Sequence, residues 1–153
     1  MSLTYLIAFE KGKRLQKTDY LYKYILPSKK TVFREDDGIL FDEKLWPQEC
    51  DIAQNLFNGR EVYGIRSEVY LEFESKYDNL QNYLLCAKEQ IVWFKSFIKK
   101  HLTENNDILF FPVWLGHPIN YSKIPTKKVP IDTLDVSGDS FYFDDCIYWF
   151  VLK

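Results

Sequence analysis

One stretch of the chain limits what it can fold into more than any other. From Ser75 to Asn105 the residues Leu80, Leu84, Ala87, Ile91, Phe94, Ile98 and Leu102 recur at alternating steps of four and three. That spacing returns side chains to one face of a 3.6-residue helix and predicts a long amphipathic helix burying one stripe. Ser75, with Asp78 three residues on, offers an acidic variant of the capping box, and Lys95, Lys99 and Lys100 suit the negative C-terminal end. At 100° per residue, Cys86, Trp93 and Phe97 widen the stripe to roughly half the circumference, leaving Leu85 and Val92 one heptad apart on the far side. A helix lying on a sheet needs no second strip, so Leu85 and Val92 are either covered by the proline-rich segment Gly116 to Pro130 or exposed as part of a partner contact or a homodimer interface.

The rest of the sequence supplies strands for that helix to cover. Thr4 to Phe9 is a short apolar run, and Glu61 to Phe73 alternates through Val62, Ile65, Val69, Leu71 and Phe73. Ile108 to Leu115 reads as a buried strand in which Pro112 implies an edge or a bulge. Asp36-Asp37-Gly38 lies between Val32-Phe33 and Ile39-Leu40-Phe41, which predicts a hairpin over residues 31–42. Asp144-Asp145, between Phe141-Tyr142-Phe143 and Ile147 to Leu152, predicts a second hairpin whose last strand is apolar on both faces and therefore central. Short helices are expected over Thr18–Leu26, stopped by Pro27, and over Pro47–Phe57, ended by Asn58-Gly59. Gly116 to Pro130, with three prolines, reads as a surface loop. The expected fold is one α+β domain: a single mixed or antiparallel sheet of about five to seven strands, with two hairpins and one long helix packed on a face.

A chain of 153 residues, 46% apolar and 27% charged, is of single-domain size and ordinary globular composition. Twelve Phe, eleven Tyr and four Trp stand against three Ala, so the core must be filled by bulky side chains. No run approaches the ~18 uncharged apolar residues of a membrane span, and Met1 to Lys13 has no signal-peptide pattern, from which a cytoplasmic protein is expected, with a composition of bacterial type. Cys50, Cys86 and Cys146 are odd in number and widely spaced, which indicates free thiols, neither a disulfide framework nor a zinc site.

The common chemical motifs are missing. No G-x-x-x-x-G-K-[ST], G-x-G-x-x-G, G-x-S-x-G or H-E-x-x-H occurs, so nucleotide hydrolases, Rossmann enzymes and zincins are unsupported, and no cofactor or metal is expected. Of the two histidines, His101 fits a helix C-terminus, while His117, in Gly-His-Pro after a strand, is placed for acid/base work. Catalysis there would need Cys50, Cys146 or a carboxylate beside it. Glu74-Ser75-Lys76 has the spacing of half a nuclease site, but Ser75 already caps a helix. Asp132, Asp135 and Asp139 lack the EF-hand register and read as solvated loop acids. A net charge of -2 argues against nucleic acid as a partner.

Charge is distributed in blocks. Residues 1–31 hold seven basic and two acidic side chains, residues 32–78 five and twelve, residues 79–131 seven and three, and residues 132–153 one and five. If the two hairpins end on one side, Asp36, Asp37, Asp144 and Asp145 form a negative patch able to steer a basic partner. The leading expectation is therefore a protein-binding module, by analogy of inhibitor or immunity type. The alternative is a small hydrolase-like enzyme built on His117.

Overall fold

The computed structural model describes residues 2–15, 21–22, 39–67, 92–134 and 146–153. Among the described residues seven strands form one sheet: β1 (Ser2–Phe9), β2 (Leu21–Tyr22), β3 (Ile39–Asp42), β4 (Glu61–Ser67), β5 (Ile108–Leu115), β6 (Thr126–Pro130) and β7 (Ile147–Val151), in the spatial order β2-β3-β4-β1-β5-β7-β6. Every neighbouring pair is antiparallel except β6 and β7, so the sheet is mixed. The sequence places β1 at the centre. Tyr5, Ile7 and Phe9 point to one face and Leu6 and Ala8 to the other, and all five are almost fully buried.

Both faces are covered. On the first, the helical residues 92–101 bring Phe94, Phe97 and Ile98 onto Phe9, Phe41, Phe110 and Phe150. The packing is largely aromatic, with Phe97 edge-on to Phe41 at 4.7 Å and Phe94 tilted on Phe110 at 5.3 Å. On the second face, the helix α1 (Pro47–Leu56) sets Ile52, and Phe57 just beyond it, against Leu6, Ala8, Phe111, Val113 and Ile147. Pro47 opens α1 as expected, and Gly59 closes the following turn at φ +82°, a value an L side chain adopts only with strain. Covering the second face spreads the core over two clusters, where the sequence suggested one helix on one face.

Other expectations need correction. The hairpin over 31–42 does not account for Ile39 and Leu40: they pair with Tyr22 and Leu21 on one side and with Ser67 and Arg66 on the other. Residues 31–38 lie outside the described part. The second hairpin is not confirmed: its first arm, residues 141–143, lies outside the described residues, and Tyr148, Trp149 and Phe150 pair with β5 and β6. Being bonded on both sides does make β7 an interior strand. Leu21–Tyr22, expected in a helix, are strand residues. Of the long helix expected over Ser75–Asn105, only residues 92–101 are described as helical, and this helix ends earlier than Asn105: the Thr103 backbone N–H donates to the Asn106 side chain. The proline-rich loop contains the edge strand β6, whose Lys127 and Lys128 are exposed and whose Val129 alone is buried. Pro112 sits inside β5, but the pairing of β7 with β5 covers only Ile108–Phe110, so its missing N–H falls past the end of that ladder.

Candidate functional site

Of the residues the sequence singled out, His117 lines a cavity beside β5 and Asp132 lines a second one. The geometry starts with β5, which keeps β1 as a neighbour as far as Leu115 after its pairing with β7 stops at Phe110. Gly116 then turns the chain, and residues 117–125 run back through a 3-10 turn at Tyr121–Lys123 to β6. Three contacts tie this segment to α1. The Gly116 N–H donates to Gln48 Oε1 at 2.9 Å, Gln48 Nε2 donates to the His117 carbonyl at 3.4 Å, and the Tyr121 hydroxyl donates to Asp51 Oδ2 at 2.8 Å. Burial, followed by the Asp51 carboxylate, raises the Tyr121 pKa above its usual 10.0, so the phenol remains the donor of that bond at neutral pH. Ile119, Tyr121 and Ile124 also pack on the core of the second face.

Between β5 and this segment lies a half-open cleft of about 540 Å³. Phe111, Pro112, Val113 and Trp114 form one wall, and Pro118, Ile119 and Ile124 line the other. Trp114 is 44% exposed, which is unusual for so large an apolar ring. His117 and Asn120 are the polar side chains of the described lining. Asn120 Oδ1 accepts the Ser122 hydroxyl at 2.7 Å, which leaves its amide NH2 as a donor. Among the described lining residues there is no carboxylate, thiol, lysine or arginine. Such a cleft can bury a neutral apolar group and offer it hydrogen-bond donors.

The remaining candidates are dispersed. Cys50 is exposed on α1, and Cys146 is buried in the core of the first face. His101 is buried against Phe97 and Phe9, with ring centroids 4.5 and 6.1 Å away. Val92 is 45% exposed. Asp36, Asp37, Asp144, Asp145, Leu85, Cys86, Glu74, Lys76, Asp135 and Asp139 lie outside the described residues. Asp132 forms an exposed ion pair with Lys99 at 3.0 Å.

Two polar clusters escaped sequence reasoning. Glu49 is fully buried beneath α1, where Oε2 accepts from the Thr4 hydroxyl at 2.8 Å and from Arg66 Nη1 at 2.9 Å, and Oε1 accepts from Arg66 Nη2 and the Trp46 N–H at 2.8 Å each. The Arg66 guanidinium also lies over the Trp46 ring, 4.1 Å from its centroid. With every oxygen position engaged, this is a structural clamp between α1 and the sheet. The one sequence signal for it was a Glu three residues after the residue preceding Pro47, the capping-box position. In the second cluster, Asp107 accepts from Arg60 at 2.7 Å and from the Trp149 indole at 2.8 Å, beside a cavity of about 730 Å³ whose other acid with a described partner is Asp132.

Among the described residues no three His, Cys, Asp or Glu side chains are grouped to hold a metal ion, and no helix is long and apolar enough to cross a membrane. Comparison with protein-family models, with curated proteins and with solved structures gives no match.

Proposed function

We propose that the chain is a protein-binding module and that the cleft between β5 and residues 117–124 receives a neutral, apolar part of its partner. One observation carries the reading: the half-exposed Trp114 stands over an apolar cleft that no described carboxylate, thiol or basic chain enters. Large aromatics that stay wet in the free protein are the residues that anchor interfaces. The hydrolase-like alternative needs a thiol or carboxylate beside His117, and the described lining has neither. The basic-partner form of the proposal rests on the charge blocks of the sequence, with Asp36, Asp37, Asp144 and Asp145 steering the encounter.

The test is a photo-crosslinking phenylalanine analogue placed at Trp114, with the same analogue at exposed Ser122 as the control, in cells that make the protein. A discrete protein adduct from position 114, absent from position 122, is the expected result. No adduct from either position, or the same adducts from both, removes the cleft as the interface.

A further inference from the structure

We infer that residues 116–125 are a strap forming the movable wall of the cleft, and that α1 sets how far the cleft stands open, through Gln48 and the Asp51–Tyr121 pair. This rests on the binding reading and adds how that site is controlled. The two walls are built unequally. Phe111 to Leu115 keep their pairing with β1, so that wall is part of the sheet. The strap belongs to no strand. It leaves the sheet at Gly116, whose φ of +92° an L side chain takes only with strain, and rejoins it where the Pro125 carbonyl accepts the Ile147 N–H at 2.9 Å.

Between these ends the strap is fastened in two ways. The Lys123 N–H donates to the Asn120 carbonyl at 3.0 Å and the Ser122 hydroxyl to Asn120 Oδ1 at 2.7 Å, bonds that keep its turn together and let it shift as one piece. The bonds that hold it from outside come from α1. Gln48 grips its start, accepting from the Gly116 N–H and donating to the His117 carbonyl, and Asp51, one turn further along α1, accepts from Tyr121 at the turn. These bonds lie at the surface, where water competes for the same groups, so each is weak and the strap can be released without disturbing the sheet. The helix does not follow the strap, because the buried Glu49, between Gln48 and Asp51, is bonded to Arg66 of β4. Neither Gln48 nor Tyr121 belongs to the described lining, so both act on what the cleft holds only through the strap. A fastened strap keeps Ile119 and Ile124 facing β5 before a partner arrives; a released one must be ordered on binding, which weakens it.

The test measures amide hydrogen exchange in the free chain, and the yield of the adduct formed through the photo-crosslinking analogue at position 114, with and without Q48A or Y121F. Q48A removes two bonds and should speed exchange at residues 119–124 about tenfold. Y121F keeps the ring, drops the hydroxyl and should speed it several-fold, with the amides of β1 unchanged in both variants. The adduct yield should fall several-fold in each. The inference is overturned if exchange at residues 119–124 is unchanged in both variants, or if β1 quickens as much as the strap in both. A discrete adduct at position 114 that neither variant diminishes overturns control by the strap alone. The absence of any adduct from the chain without Q48A or Y121F overturns the cleft reading, and this inference with it.

Discussion

Glu49 illustrates how a polar residue can be a core residue here. Four donors satisfy its carboxylate, and the guanidinium it holds leaves room for no side chain at position 64: a Cβ there would come within 2.7 Å of Arg66 Cζ. Arginine could normally swing away, but this one is fixed at both nitrogens by Glu49 and across the Trp46 ring. Removing one partner of such a pair strands the other's charge, so E49A should lose about 3–5 kcal/mol in urea denaturation. G64A should lose stability by forcing the same pair apart, and its cost should largely vanish in an R66M background, since the two changes share one contact. Full additivity of G64A and R66M would show that the pair is not what requires glycine. Tyr63 supplies a pH test. Its pKa is raised above 10.0, chiefly by burial, with the Leu15 N–H bond to its oxygen opposing and the Glu43 and Glu61 charges adding. A raised value means the folded state holds the proton more tightly, so the contribution is complete below pH 10.0 and is lost as pH rises through the higher folded value. Stability should fall in that alkaline range, and Y63F, although lower at neutral pH for want of the Leu15 acceptor, should show a shallower fall. An equally steep fall in Y63F assigns the alkaline loss to other groups.

At the scale of elements, what could be read from the sequence depended on whether the signal was local. β1 and α1 announced themselves by apolar run, Pro47 and Asn58-Gly59, and both lie where those residues put them. Over residues 92–102 the predicted apolar stripe is buried, at Phe94, Phe97, Ile98 and Leu102, while Val92 is exposed. Hairpins were inferred from their turns, yet a turn says nothing of which strands take the two sides of each arm. For β3 and β7 both sides went to partners far away in sequence. β6 was hidden because a parallel edge strand with one buried residue has almost no hydrophobic pattern. It is blunted against further pairing: Pro130 ends it and Pro125 precedes it, Lys127 and Lys128 are exposed, and Lys128 Nζ lies 5.3 Å from the Trp149 ring centroid. Changing both lysines to valine should leave the sheet intact and produce concentration-dependent self-association, visible as earlier elution in gel filtration. A variant that stays monomeric at high concentration would mean the prolines alone protect this edge.

For the whole molecule, the α+β class and a single sheet, mixed or antiparallel, were legible because apolar periodicity and composition act over the entire chain; the parallel pairing of β6 with β7 that makes it mixed was not. The cleft was legible only at one residue. His117 stood out by its chemistry, but Trp114 sits in an apolar run that reads as core, and only the end of the β7 ladder at Phe110 leaves it in solvent. The position of β1 also matters for how the molecule is assembled. Its neighbours begin at Glu61 and Ile108, so the centre of the sheet closes by contacts between remote parts of the chain, the arrangement that folds slowly. Until they arrive, Thr4-Tyr5-Leu6-Ile7-Ala8-Phe9 is an uncharged, strand-prone hexapeptide in water, the kind of segment that nucleates aggregates. Glu10, Lys11, Lys13 and Arg14 follow directly and play no part in its core; they act as gatekeepers, holding copies of that hexapeptide apart while it waits for its partners.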